Sequence, residues 1–281
     1  MLGAGGDTVR VLEGERKPGL DRVWWDLRYT RPTVPKLRSS PPGKPFVRVG
    51  PDGTRPLVTW DLDLSLRGPL VPPGTYQVRL TVGDSAASAP TLTQSLTVLK
   101  DPNTAGSDAD VAAQTRLALA IHAAQDSVAR MINRLEWVRK QLADLSGQLR
   151  GDTALTGDSS AKRLAGLADS LDRHAGVVEG ALFDVHLTGA REDAFRSPMQ
   201  LYGRLAALQS DVSESGADFA PTAQQQAVFE LFTQRLADAS VRFAGFMERE
   251  LPAFGAELHK APLKDIVAGG VDGGAPRRTG P

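Results

Sequence analysis

Residues 72–82, PPGTYQVRLTV, decide how the N-terminal part of the chain reads. Tyr76, Val78, Leu80 and Val82 alternate with Gln77, Arg79 and Thr81, so a strand here has one apolar and one polar face. Pro72-Pro73-Gly74 supplies the preceding turn, because proline presets φ and glycine accepts unusual backbone angles. Working outward, β-rich runs at residues 8–12, 22–29, 56–62, 75–82 and 91–99 are separated by Pro and Gly. That spacing predicts an antiparallel sandwich. The stretch Thr30 to Gly53, rich in Pro and Lys/Arg, reads as a long surface loop.

Beyond Asp101-Pro102-Asn103 the pattern changes to helix. Ser107-Asp108 can cap a helix in which Ile121, Ala124, Val128, Met131, Leu135, Val138, Leu142, Leu145 and Leu149 recur at spacings of three and four. This is a heptad seam. A second helix, opening near Asp158-Ser159, carries Leu164, Leu167, Leu171, Val178, Leu182 and Val185. A third is expected from Ser197-Pro198-Met199-Gln200, with Ser at the cap and Pro in the first turn. A fourth follows Thr222-Ala223-Gln224-Gln225. Leu201, Leu205, Leu208 and Val212 line one inner face; Val228, Phe232, Leu236, Ala239, Phe243 and Phe246 line the other. Four helices with short connections predict an antiparallel bundle. Pro252 should kink or end the last helix, and residues 269–281 read as a disordered tail.

A chain of 281 residues with 33 basic and 33 acidic side chains has no net charge to draw in nucleic acid or an anionic membrane. The absence of cysteine removes disulfides and thiolate chemistry. No basic-then-apolar leader is visible at the start, and no apolar run approaches a membrane span.

Candidate chemistry is sparse. Ser159-Ser160-Ala161-Lys162 has the S-x-x-K spacing without its companion motifs, and reads as a helix cap. Asp61 and Asp63 flank Leu62 on a strand and point the same way, as paired carboxylates or calcium ligands would, although a solvated strand face accounts for them. His122, His174, His186 and His259 lack metal-ligand spacing; His174 falls on the seam of the second helix and reads as a core histidine. Neither Gly3-Ala-Gly-Gly6 nor Val49-Gly-Pro-Asp-Gly-Thr54 satisfies a phosphate-loop pattern. The expectation is therefore no catalytic residue, no cofactor and no metal. Trp24, Asp26, Arg28 and Tyr29 form the one patch that invites contact, through aromatics and an Arg–carboxylate pair that could lock two domains or dock a partner.

Several segments together resemble a known family. Gly19-Leu-Asp-Arg-Val-Trp-Trp-Asp-Leu-Arg-Tyr29 and residues 72–82, then Pro198-Met-Gln-Leu-Tyr-Gly-Arg-Leu-Ala-Ala-Leu208, Ala220-Pro-Thr-Ala-Gln-Gln-Gln-Ala-Val-Phe-Glu230 and Glu250-Leu-Pro-Ala-Phe254, are similar to the region following the β-propeller in exported bacterial BNR/Asp-box proteins. These relatives are described as sialidase-, xyloglucanase- or sortilin-like and often labelled glycosyl hydrolases. Gly203 and Gly255 stand where the family has Asn, and no Asp-box repeat is present. The resemblance implies a fibronectin- or immunoglobulin-like sandwich over residues 1–103, a helical bundle over 104–262 and a tail over 263–281, in a two-domain α+β chain. It further implies a non-catalytic structural module, a fragment or split subunit, that partners a β-propeller in the periplasm or outside the cell. The rival reading is a hydrolase or a carbohydrate-binding module with a glycan ligand.

Overall fold

The computed structural model describes residues 1–15, 18–57, 67–82, 91–152, 158–190, 200–213, 218–261 and 266–267. The chain divides into two compact units, each gathered from three segments. Unit 1 comprises Met1–Pro32, Asp63–His122 and Leu208–Ala227; unit 2 comprises Thr33–Leu62, Ala123–Ala207 and Val228–Pro281.

Among the described residues unit 1 holds a single sheet of two antiparallel strands, β1 (Gly74–Thr81) and β2 (Thr91–Val98). Tyr76 faces Leu96, Val78 faces Gln94 and Leu80 faces Leu92, so the alternation read in residues 76–82 does form one apolar face. Burial does not follow it. Tyr76 is 5% exposed, within a small core of Val9, Val71 and the half-buried Trp25 and Tyr29, whereas Val78, Leu80 and Val82 are 36%, 54% and 58% exposed. The Trp25 and Tyr76 rings meet edge to face at 5.6 Å, and the Tyr76 hydroxyl donates to the Pro72 carbonyl at 2.6 Å.

The sandwich expectation is thus corrected. Residues 8–12 and 22–29 make single bridges, Leu2 to Thr8 and Arg28 to Leu70, in place of ladders. Leu2 also exchanges both backbone hydrogen bonds with Gln77 on the outer edge of β1. Most of residues 56–62 lie outside the described residues. Alternation specifies which side chains share a face but not that a second sheet arrives to cover them.

Among the described residues the α-helices are α1 (Asp108–Gly151), α2 (Ser159–Gly180), α3 (Leu201–Ser213), α4 (Ala223–Gly245) and α5 (Leu251–His259). Three starts follow the cap chemistry of the sequence. The Ser107 hydroxyl and the Asp110 carboxylate satisfy one another's backbone N–H groups. The Asp158 carboxylate accepts from Ser160 N at 2.7 Å. Thr222 and Gln225 form a reciprocal box at 2.9 and 3.2 Å. Thr222→Ala should lower unfolding stability by about 1 kcal/mol, read as a shift in urea midpoint. The cap proposed at Ser197-Pro198 falls outside the described residues. The seam of α1 is buried at Ile121, Val128, Leu135, Val138 and Leu142, as its periodicity requires.

These helices do not make the expected antiparallel four-helix bundle. Within unit 2, α2 runs antiparallel to the C-terminal half of α1, with Arg139 meeting Glu179 and Ser146 meeting Asp169. In contrast, α4 advances in the same direction as α1: Met131 meets Ser240, and Arg134 stacks on Phe243 at 5.1 Å. A 44-residue helix cannot be matched along its length by partners of 22 and 13 residues. Pro252 neither ends the helix nor breaks it after itself. The preceding turn, Phe246–Glu250, widens to a π-helix in which Leu251 N–H donates five residues back to Phe246 O. The helix then resumes as α5 with Pro252 in its first turn, where a missing N–H costs least.

Residues 33–41, read as part of a surface loop, instead form a strap laid along α1. Pro35, Leu37, Arg38 and Pro41 are buried, and the strap's N–H groups are taken up by helix side chains. Thr33 N and Oγ1 donate to Asp126 Oδ1, Lys36 N donates to Asn133 Oδ1, and Arg38 N and Ser39 N donate to Glu136 Oε2. Proline has no N–H, so Pro35 adds no donor to be satisfied.

Candidate functional site

The residues singled out as a docking patch are all placed in unit 1. Trp24 is 80% exposed, with the Arg22 guanidinium 5.9 Å from its ring centre. Asp26 Oδ1 accepts from the backbone N–H of Arg28 at 3.2 Å, and Arg28 Nη1 donates to Gly68 O at 3.0 Å. Between them Leu27 sits at φ 57°, an angle uncommon for a residue with a side chain. Tyr29 packs beside the small core, and its N–H donates to Pro69 O. Of the four, Trp24 and Asp26 are exposed to solvent; Arg28 is spent on backbone closure.

The other candidates do not converge. Ser160 and Lys162 sit in the first turn of α2, where Asp158 provides the cap. Asp61 and Asp63 lie outside the described residues. His122 Nε2 meets Thr30 O at 2.9 Å. His174 is exposed, not buried in the core: Nδ1 lies 2.5 Å from Glu250 Oε2, and its ring edge rests on Phe246. Helical drift turns position 174 outward once neighbouring Ala175 and Val178 take the interior. No group of three acidic or histidine side chains suited to a metal ion is found among the described residues.

The site that sequence reasoning missed is a buried charge cluster in unit 2. Arg139 of α1 is 4% exposed. Its Nε donates to Asp172 Oδ1 at 3.0 Å, its Nη1 donates to Glu179 Oε2 at 2.9 Å, and Glu136 Oε1 stands 3.7 Å away. Glu136 and Glu179 are both fully buried. Arg55 completes the group, donating from Nε to Ser39 O at 2.8 Å and from Nη1 to Leu187 O at 2.7 Å. The sequence signal was present but unread. Asn133, Glu136 and Arg139 recur three apart on a face of α1 that the heptad seam does not use, which is the mark of a second buried face.

Burial drives the Glu179 carboxyl well above its ordinary range, the adjacent Glu136 adds to this, and Arg139 opposes it. Glu179 Oε1 has no acceptable donor when both acids are ionised, and a proton on Glu179 shared with Glu136 satisfies it. Burial likewise raises Asp172 against the pull of Arg139.

A carboxyl whose folded pKa is raised contributes its full stability below the unfolded pKa, near 4.5. That contribution is lost as pH climbs from there through the folded value. Glu179→Gln mimics the protonated acid, so it should flatten the fall in urea midpoint as pH rises across that window. Equal slopes in the two proteins would contradict the assignment.

Beside this cluster lies an open pocket of about 830 Å³ within unit 2. Arg139 forms part of its floor, Asp172, Gly176 and Val177 of α2 one wall, and Val185 and His186 another.

No family model, curated protein or solved structure matches the chain. The class that the fold defines is therefore drawn from its own architecture: a helix-rich chain with, among the described residues, one antiparallel pair of strands. The β-sandwich and fibronectin descriptions do not apply to it, and nothing links it to sialidase or glycosyl hydrolase chemistry. No helix among the described residues is long and apolar enough to cross a membrane.

Proposed function

We propose that the chain is a non-catalytic attachment module that works beside a β-propeller, the role its resemblance to the C-terminal region of Asp-box proteins suggests. One observation carries this reading: the apolar face of the hairpin leaves the core as β1 proceeds. Leu80 and Leu92 are directly paired and 54% and 68% exposed, with Val78 and Leu96 beside them. A two-stranded ribbon is marginal on its own, and an apolar face of this kind marks a surface that a partner covers. The described ionisable groups support a scaffold as well, because those that are buried hold chain segments together.

The test is a calorimetric titration of the full chain with a purified Asp-box β-propeller. Saturable binding is expected, weakened at least tenfold in the Leu80→Lys, Leu92→Lys double variant. Absence of binding, or equal binding by the variant, would overturn the reading.

A further inference from the structure

The pocket in unit 2 combines three features that the scaffold reading leaves unused. The first is a charged donor with no acceptor. Arg139 places Nε on Asp172 and Nη1 on Glu179, while Nη2 meets no acceptor among the described residues. Arg139 is 4% exposed, and Nη2 keeps contact with solvent at the opening. The second is an opening over that group. A Cβ built on Gly176 would lie 3.8 Å from the guanidinium carbon and 3.9 Å from Nη2, so any larger residue at this position would cover the guanidinium. The third is an acceptor alongside. Asp172 spends one oxygen on Arg139 Nε, and its other oxygen takes no donor among the described residues.

With the proton on Glu179, Arg55, Arg139 and Arg173 around the pocket are balanced by Glu136, Asp172 and Asp184, and Val177, Val185 and Pro42 supply an apolar wall. A net anion or a net cation would upset this balance. A molecule bearing both charges would complete it, since charged donors and acceptors are matched best by charged partners.

We propose that this pocket holds a free α-amino acid with an aliphatic side chain. Its carboxylate sits on Nη2 of Arg139, its ammonium on the open oxygen of Asp172, and its side chain against the valines. Burial already holds Asp172 above the usual carboxylate range despite Arg139, and an arriving ammonium relieves that condition. A volume of about 830 Å³ accommodates such a ligand together with its hydration water.

The test is ligand-observed NMR and calorimetry on the full chain with L-leucine, leucinamide, N-acetyl-leucine and glucose. Saturable binding of leucine is expected, with each blocked derivative at least tenfold weaker and glucose inactive. Gly176→Leu should abolish binding while the chain stays folded, because leucine favours helix and its Cβ meets Arg139 at ordinary contact distance. A folded Gly176→Leu variant that still binds leucine would sink the proposal. So would failure of leucine to bind, equal binding of the blocked forms, or glucose binding in its place. The hairpin double variant should bind leucine like the unaltered chain, so the two readings fail separately.

Discussion

Glu136→Ala should destabilise the protein by about 3–5 kcal/mol, the range expected when one partner of a buried ionic cluster is removed. Three donors converge on this carboxylate: Arg38 N at 2.5 Å, Ser39 N at 2.7 Å and Ser39 Oγ at 2.9 Å. Alanine leaves all three without their acceptor, the carboxylate itself being fully buried. It also strips a negative neighbour from Arg139 and from Arg55, both nearly buried. Glu136→Gln should fall between the two, because an amide oxygen still accepts but carries no charge. Urea midpoints measure the loss, and hydrogen exchange locates it: the amides of Arg38 and Ser39 should lose protection before those of α1. An exposed control, Asp144→Ala, breaks a surface pair with Lys140 and should move the midpoint by less than about 0.5 kcal/mol. Equal effects in Glu136→Ala and the control would refute the account of the strap.

Gly106→Ala is the second large effect, and its cause is steric. A Cβ at this position would stand 1.5 Å from the Asp218 carbonyl oxygen and 2.6 Å from its carbon. The obstacle is backbone on both sides, and the crossing is fastened by Thr104 Oγ1 donating to Asp218 Oδ2 at 2.6 Å. Rotamer changes cannot relieve it, so the segments before α1 and α4 must separate. A cost at or above the 1–3 kcal/mol usual for overpacking is expected. Gly147→Ala supplies the contrast. Its Cβ meets nothing within 4 Å inside α1, and the change should raise stability by about 0.5–1 kcal/mol. Paired thermal melts of the two variants should shift in opposite directions, and a shared sign would refute the steric argument.

The helical half was legible because its evidence is local. The boxes at Ser107 and Thr222 and the cap at Asp158 each need only a few neighbouring residues, and the seam of α1 needs only its own periodicity. The buried cluster was hidden for the opposite reason. Arg139 finds Asp172 and Glu179 33 and 40 residues later, and Glu136 finds Ser39 97 residues earlier. A charged residue at such a position looks like any solvated one until its partner arrives. Trp24 and Trp25 show the same limit at close range: adjacent in the chain, one is open to solvent and the other rests on Tyr76.

The amino-acid sequence by itself determined where α1, α2 and α4 begin, which residues of α1 face inward on its seam, and which side chains share a face of the hairpin. All of these follow from backbone geometry over a few turns or a few strand residues. Only the tertiary structure decided that no second sheet covers that hairpin among the described residues, that α4 runs parallel to α1, and that residues 33–41 lie against a helix as a strap. These outcomes depend on contacts between segments far apart in the chain, where hydrophobic pattern states what is to be buried but not by which partner.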